Sequence, residues 1–326
     1  MNLEENSKQD TLPKPSKLNI LLNAILKSGS AIFLMLYTYS FLSSYFLTAE
    51  LLCHFQVFYF GCALFGLILG FALKKYIYVI VHAIVCAFIL YLILPFYFSS
   101  EIPGKNKPTL KIYQANVEAK NDKYDLVVEQ IDSINPDIVL LIETGRDWNV
   151  VAQKIFINYP YQYKLLSGPF GYIFGSKFPI ISVDLKDFDT SYECLDILLN
   201  WNGKKIRFIG AHPPPPIDGS CYLARNTHFI KYAELIEQQK DLPTIICGDL
   251  NVTPWSNSYR MLIQKGKLKS TRQGHGLLAS WPNSLPYRIP IDHCLVTNHF
   301  GYSDTKLMPS VNSDHLPMVN EVYIKE

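Results

Sequence analysis

The sequence predicts a layered α/β sandwich carried on three membrane-spanning helices. The first hundred residues contain three stretches, 28–49, 51–73 and 76–100, without one Asp, Glu, Lys or Arg, each 22 to 25 residues long. The rest of the chain alternates strand-like and helix-like patterns, with hairpins among them, which fits layered sheets better than one parallel sheet. Asn, Asp, Glu and His recur at the strand ends, where an open sheet presents side chains to a shared cleft.

The uncharged stretches come first. About 20 apolar residues suffice to cross the hydrocarbon core. A cleavable signal peptide is a poor account of the first stretch, which is long and is followed by two more. The boundaries expected are a cytoplasmic tail at 1–27, three spans within 28–100, a linker EIPGKNKP at 101–108 and a soluble domain at 109–326. Lys8, Lys14, Lys17 and Lys27 precede the first span, and Lys74 and Lys75 separate the second from the third. The loop between the first two has no Lys or Arg, so basic residues favour a cytoplasmic tail and an extracytoplasmic domain. Lys105, Lys107, Lys111 and Lys120, just after the third span, oppose this.

From residue 101 onward the chain has 24 Lys and Arg against 24 Asp and Glu. A dedicated nucleic-acid binder carries a basic excess, and none is present. Cys53, Cys62 and Cys86 lie in the apolar stretches; Cys194, Cys221, Cys247 and Cys294 lie beyond them, with no CxxC pair to suggest zinc. Cys247 and Cys294 read as core residues. A Cys194–Cys221 disulfide is left open by the sequence.

In the soluble domain, TLKIYQANV (109–117) reads as a strand. KYDLVVEQIDSIN (123–135) places apolar residues at 126, 127, 131 and 134, a helical spacing, and Pro136 closes it. DIVLLIET (137–144) is a buried strand, DWNVVAQKIF a helix, and GYIFGSKFPIISVDL (171–185) two strands about a turn at Ser176–Pro179. CLDILLNWNGKKIRFIGAH (194–212) is a hairpin turning on Asn202-Gly203. A helix at 225–240, strands at 242–251 and 289–297, and a last strand in HLPMVNEVYI follow.

Asn116, Glu143, His212, Asp249, Asn251, Asp292, Asp314 and His315 all sit at such strand ends. Taken singly, Glu143 could favour a helix start and GDLN a turn. Taken in series they form a hard-oxygen environment suited to Mg²⁺ or Mn²⁺. Residues 210–217, GAHPPPPI, set His212 against four prolines, which hold an extended, unpaired rim.

QANVEAKN, LLIET, GSKFPI, GAHPPPP, CGDLNVTP, PIDHCLVT and NSDHLPM, spread over residues 114–318, resemble the endonuclease/exonuclease/phosphatase superfamily. GDLN and SDHLPM are the most specific; Ile142 stands where the family has Gln before its glutamate. With the N-terminal spans, the set resembles the membrane-anchored bacterial branch that includes teicoplanin-resistance membrane proteins. The resemblance implies a DNase I-like four-layer sandwich, two β-sheets flanked by helices, and hydrolysis of phosphate esters. It implies Glu143 as principal metal ligand with Asp314 and Asn116, and His315 as general base oriented by Asp292. It implies Asp249 and Asn251 holding water and phosphate, and His212 donating to a phosphate oxygen. Arg225 fits either a bidentate phosphate contact or a helix-start surface residue. The expected partners are the bilayer and a phosphorylated substrate, lipid-linked in the first reading. A nuclease is the alternative, with Lys265, Lys267, Lys269 and Arg272 as its basic group; an inactive membrane scaffold is the third.

Overall fold

The computed structural model describes residues 16–98 and 107–325. The tail before Ser16 and linker positions 101–106 lie outside the described residues. The chain forms two compact units. One combines the first helix, through Thr38, with Val57–Ile89; the other combines Tyr39–Gln56 with the chain from Leu90 onward.

The helices of the N-terminal region are α1 (Lys17–Ser40), α2 (Leu47–Cys53), α3 (Gln56–Ala72) and α4 (Tyr76–Ile93). Two helices, Lys17–Ser40 and Tyr76–Phe96, are long and apolar enough to cross a membrane; a third crossing counts Leu47–Cys53 and Gln56–Ala72 as one broken span. These bounds differ from the expected 28–49, 51–73 and 76–100. The first helix takes in Lys17 and Lys27 and stops at Ser40, and the second stretch breaks at His54 and Phe55. Charge-free runs mark where charge is absent, whereas helix ends follow local partners. In the first unit Ser30 Oγ and His82 Nε2 share a 2.8 Å hydrogen bond, which satisfies polar groups on two apolar helices.

Residues 41–56 belong to the second unit, and their contacts explain why. Glu50 is fully buried and receives Arg225 Nη2 at 2.6 Å and Ser256 Oγ at 2.8 Å. Tyr222 Oη donates to Ser43 O at 2.6 Å, and His54 Nδ1 shares a 2.9 Å hydrogen bond with Thr253 Oγ1. Farther along, Gly274 and Gly276 N–H groups donate to Phe96 O at 3.0 and 2.7 Å.

The sandwich itself runs β1 (Leu110–Asn116), α5 (Tyr124–Ile134), β2 (Ile138–Ile142), α6 (Asn149–Ile155), β3 (Tyr161–Leu165), β4 (Tyr172–Ser176) and β5 (Ile180–Lys186). It continues with β6 (Cys194–Trp201), β7 (Lys204–Ala211), α7 (Gly219–Gln238), β8 (Thr244–Asp249), α8 (Asn257–Lys265), β9 (Leu268–Ser270), β10 (Asp292–Thr297), β11 (Phe300–Leu307) and β12 (Met318–Ile324). One sheet has the order β11-β12-β1-β2-β4-β3, the other β5-β6-β7-β8-β10-β9. Among the described residues only β1/β2 and β7/β8 pair in parallel. The sheets face each other across Ile112, Leu140, Leu195, Ile197, Phe208 and Cys247. Val127 and Ile131 of α5 and Val151 of α6 cover the first sheet, and Phe229 and Tyr232 of α7 with Leu262 of α8 cover the second. This is the four-layer α/β sandwich.

Local chemistry sets the joints. Asn202 and Gly203 take φ of 51° and 87° in the β6–β7 turn, as a two-residue hairpin of matching twist needs. Asn135 ends α5 in the left-handed region at φ 48°. Asp218 caps α7, accepting from Cys221 N at 2.8 Å, so this helix starts at Gly219 rather than at 225. The strands flanking Ser176–Pro179 join different sheets rather than forming a hairpin. β3, β9, β11 and α8 have no counterpart in the sequence reading. Cys194 and Cys221 are separate buried thiols.

Removing one member of the Glu50–Arg225 pair leaves a buried, uncompensated charge. Glu50→Ala is expected to lower stability by about 3–5 kcal/mol, read as a fall in denaturant midpoint. Glu50→Met combined with Arg225→Met is expected to recover much of the loss.

Candidate active site

The parallel pairs β1/β2 and β7/β8 end at one edge of the sandwich, and the expected polar residues follow those ends. Asn116 closes β1, Glu143 follows β2, His212 follows β7 and Asp249 closes β8. Asp292 opens β10, antiparallel to β8 and paired in register with Asp249. Asp314 and His315 lie in the segment that leads into β12. Gly248 takes φ 138°, and a Cβ there would lie 2.0 Å from Ala211 O. Only glycine lets the backbone of β8 approach β7 so closely beside Asp249. Glu143 and Asn251 also hold positive φ, 62° and 51°, strained conformations of the kind that cluster at functional sites.

Asn116 is the hub of the carboxylates. Its Nδ2 donates to Glu143 Oε1 at 2.8 Å and to Asp249 Oδ2 at 3.3 Å, and lies 3.5 Å from His315 Nε2. His212 Nε2 lies 3.6 Å from Glu143 Oε1 and 3.9 Å from Asp249 Oδ2. His315 Nδ1 donates to Asp292 Oδ2 at 2.8 Å, which leaves Nε2 facing Asp249 Oδ2 at 3.6 Å and Asp314 Oδ1 at 4.0 Å. Asn251 N donates to Asp249 Oδ1 at 2.8 Å, and Asn251 Nδ2 to Pro213 O at 3.0 Å.

The electrostatics follow from burial and crowding. Burial, with Asp292 and Glu143 adding negative charge against the opposing pull of His315, pushes Asp249 up to about 7. Burial also raises Glu143, against the hydrogen bond from Asn116. Burial would lower His315, but the charges of Asp292 and Asp249 outweigh it and raise the ring to about 10. Asp292 stays below the usual carboxylate range: burial raises it, while His315 and a hydrogen bond from Ser280 Oγ prevail. Burial, reinforced by the charge of His315, lowers His212 to about 4, so its ring is neutral near pH 7.

Several partners were given no role by the sequence, Ser313 among them although it lies within SDHLPM. Ser313 Oγ donates to Asn116 O at 2.8 Å and accepts from His315 N at 3.0 Å. Ser280 holds Asp292, and Trp281 Nε1 donates to Asp314 Oδ2 at 2.9 Å. Arg225 departs from the expected phosphate contact: it is fully buried and donates to Glu50 and, through Nη1 at 2.9 Å, to Asn251 O. Arg272 is not an exposed member of a basic loop either; it is 1% exposed and donates to the carbonyls of Leu277, Leu278 and Asp292.

The donor set fits a hard divalent cation. Asp249, Asp292 and His315 bring ligand atoms within 4.8 Å of one another, and burial, with neighbouring carboxylates adding to it, raises Asp249 and Glu143. Glu143 and Asp314 are the more open carboxylates, 24% and 45% exposed against 2% and 4% for Asp249 and Asp292. A cation that keeps part of its water shell suits such positions. The cleft around them encloses about 690 Å³.

A four-layer sandwich with this acidic, imidazole-bearing cleft defines a phosphoric ester hydrolase of DNase I-like fold. The sequence pattern of the Endonuclease/Exonuclease/phosphatase family matches residues 112–315, and the chain belongs to that family, whose members are metal-dependent phosphoric ester hydrolases. No curated protein matches the chain. Among solved structures, TDP2 of D. rerio complexed with a single-strand DNA product is similar at 16% identity and TM-score 0.56, over 66% of this chain and 98% of that one. An endonuclease/exonuclease/phosphatase family protein from Bacteroides thetaiotaomicron is similar at 18% identity and TM-score 0.54, over 68% and 100%. Sphingomyelinase C from Streptomyces griseocarneus is similar at 17% identity and TM-score 0.50, over 66% and 99%. At these identities the likeness is one of fold.

In metal-free protein the His315 ring is expected to titrate well above a free imidazole. Asp292→Asn removes the foremost charge that raises it, so the ring pKa is expected to fall. NMR titration of the ring resonances checks both; an unshifted ring in the wild-type protein contradicts the electrostatic account.

Proposed function

We propose that the protein is a membrane-anchored phosphoesterase, dependent on Mg²⁺ or Mn²⁺, that hydrolyses lipid-linked phosphate esters or pyrophosphates at the outer face of the cytoplasmic membrane. The observation that carries this reading is the make-up of the cleft. Carboxylates and imidazoles share it with Leu51, Phe170, Pro214–Pro216, Ile217, Ile289 and Ile291, and among the described residues no Lys or Arg lines it. A nucleic-acid strand is held through its phosphates by cationic groups, and burial takes Arg272 out of the basic group that a nuclease would use.

In this mechanism Glu143, oriented by Asn116, and Asp314, held by Trp281, would hold the cation. When bound, it supplies charge that neutralises phosphate oxygens and steadies the leaving oxygen. Neutral His212 donates an N–H to a non-bridging oxygen as charge grows there. Asp249 and Asn251 position the attacking water and the phosphate. His315 takes the water's proton on Nε2 while Asp292 fixes its tautomer through Nδ1. The carboxylates around His315 keep its ring charged, so it becomes a base near neutral pH only when their field is offset. The same carboxylate crowding therefore links base function to cation binding.

The packing of residues 41–56 within the catalytic unit also supports an orientation. A loop after α1 and a domain after α4 can associate only on one side of the bilayer. The chain must then cross an even number of times between them, through α3 and back through α4. With the basic residues of the tail and of the α3–α4 turn inside, that side is extracytoplasmic.

His315→Ala is expected to lower kcat by about 10²–10⁴-fold, the range for general acid–base groups, and Glu143→Ala, which removes the principal cation ligand, to abolish turnover, both with circular dichroism unchanged. Excess EDTA is expected to abolish turnover and Mg²⁺ or Mn²⁺ to restore it. Detergent-purified protein offered a polyprenyl pyrophosphate, a sphingolipid, an inositol phosphate and duplex DNA is expected to prefer a lipid-linked substrate. Salt-sensitive cleavage of DNA as the fastest reaction would reverse the substrate assignment. A cytoplasm-dependent reporter fused after residue 326 is expected to be silent.

A further inference from the structure

The clamp on α2 holds more than a loop. Leu51 and His54 line the same cleft as Glu143, His212 and His315. Thr253 and Ser256, which bind His54 and Glu50, follow within a few residues of Asp249. Arg225 reaches both Glu50 and the carbonyl of Asn251, so one guanidinium ties α2 to the catalytic loop. Glu50, Cys53 and His54 could in principle ligate an ion together, but Glu50 is already neutralised by Arg225 at 2.6 Å, and a cation there would face that charge.

Exposure tells against a loop that is merely packed. The polar residues of the clamp are buried, yet Leu51 stays 42% exposed and Ile217, on the proline wall, 77% exposed. Desolvating an ion pair to leave a leucine uncovered by protein gains nothing for folding. It makes sense if those apolar groups meet a ligand. With no lysine or arginine in the lining, the part of the ligand beyond the phosphate is apolar and uncharged.

We propose that α2 is part of the substrate site: Leu51 and His54, facing Pro214–Ile217, form a groove for the hydrocarbon chain of an amphiphilic phosphate ester, and the Glu50–Arg225 pair holds that wall in place. This rests on the phosphoesterase reading and extends it. The connection between two apolar helices supplies the specificity wall of the catalytic cleft, so the N-terminal region selects substrate as well as anchoring the enzyme. Leu51 and Ile217 act on recognition of the chain and not on the phosphate.

The test is calorimetric binding of a series from methyl- to octylphosphonate to the full chain in nanodiscs with Mg²⁺, with empty nanodiscs correcting for partition. Wild-type affinity is expected to rise by up to about fourfold per methylene while the chain is being buried. Leu51→Ser and Ile217→Ser, both at exposed positions that tolerate the change, are each expected to weaken octylphosphonate about tenfold or more and to leave methylphosphonate within about twofold. Affinity independent of chain length, or a gain that survives both substitutions, overturns the groove. Hydrolysis of bis(p-nitrophenyl) phosphate by the same preparations reports separately on the catalytic reading. Turnover without chain-length selectivity sinks the groove alone, and chain-length selectivity without turnover sinks the catalytic reading alone.

Discussion

Crowded negative charge is the constraint on which this domain depends. Glu143, Asp249 and Asp292 meet at one edge of the sandwich, with Asp314 beside them, and two are almost wholly buried. Carboxylates so placed repel one another, and burial deprives them of solvent. The fold answers with neutral donors and rings: Asn116 bridges two carboxylates, Ser280 and His315 hold a third, and Trp281 holds the fourth. What remains uncompensated appears as the raised Asp249 and the charged His315. Such a donor set suits a divalent cation, in keeping with the metal dependence of the family.

The position of the cluster follows from topology. β1/β2 and β7/β8 are the parallel pairs, one near the middle of each sheet, and their carboxyl ends come to one edge. Residues just past those ends must share a cleft. For this reason Asn116, Glu143, His212 and Asp249 were legible as a group from sequence: a short apolar run ending on a polar residue is a local signal. Asp292 and His315 were legible through their motifs. The supports of these residues were not. Ser280 and Trp281 sit in irregular chain between β9 and β10, where no periodicity marks a residue's direction. β11, with the pattern FGYSDTKL, breaks strict alternation and has a register shift between Tyr302 and Asp304.

The helix ends of the N-terminal region are not legible in the sequence for a different physical reason. A hydropathy window registers that 28–49 and 51–73 lack charge; it cannot register that Glu50 has a guanidinium partner 175 residues away. Once Arg225 neutralises Glu50, residues 41–56 have reason to leave the apolar helices and join the catalytic unit. The same pairing removes Arg225 from the substrate. An arginine near a phosphate site invites a phosphate contact, but one fully buried against a glutamate has spent its charge on the fold.

Asn251 joins these observations. Its N–H donates to Asp249, its side chain to Pro213, and its carbonyl accepts from Arg225. Because prolines lack N–H groups, the run after His212 cannot extend β7 or pair with β8; it leaves the sheet and becomes a wall. Its first carbonyl needs a donor, and Asn251 supplies one. On the other side, the Asn251 carbonyl anchors Arg225, which holds Glu50 and with it α2. A single residue at φ 51° therefore ties both apolar walls to Asp249. His212 and the four prolines are one half of that device, and the loop between the apolar helices is the other. Both walls are thus tied to the residue that hydrogen-bonds Asp249.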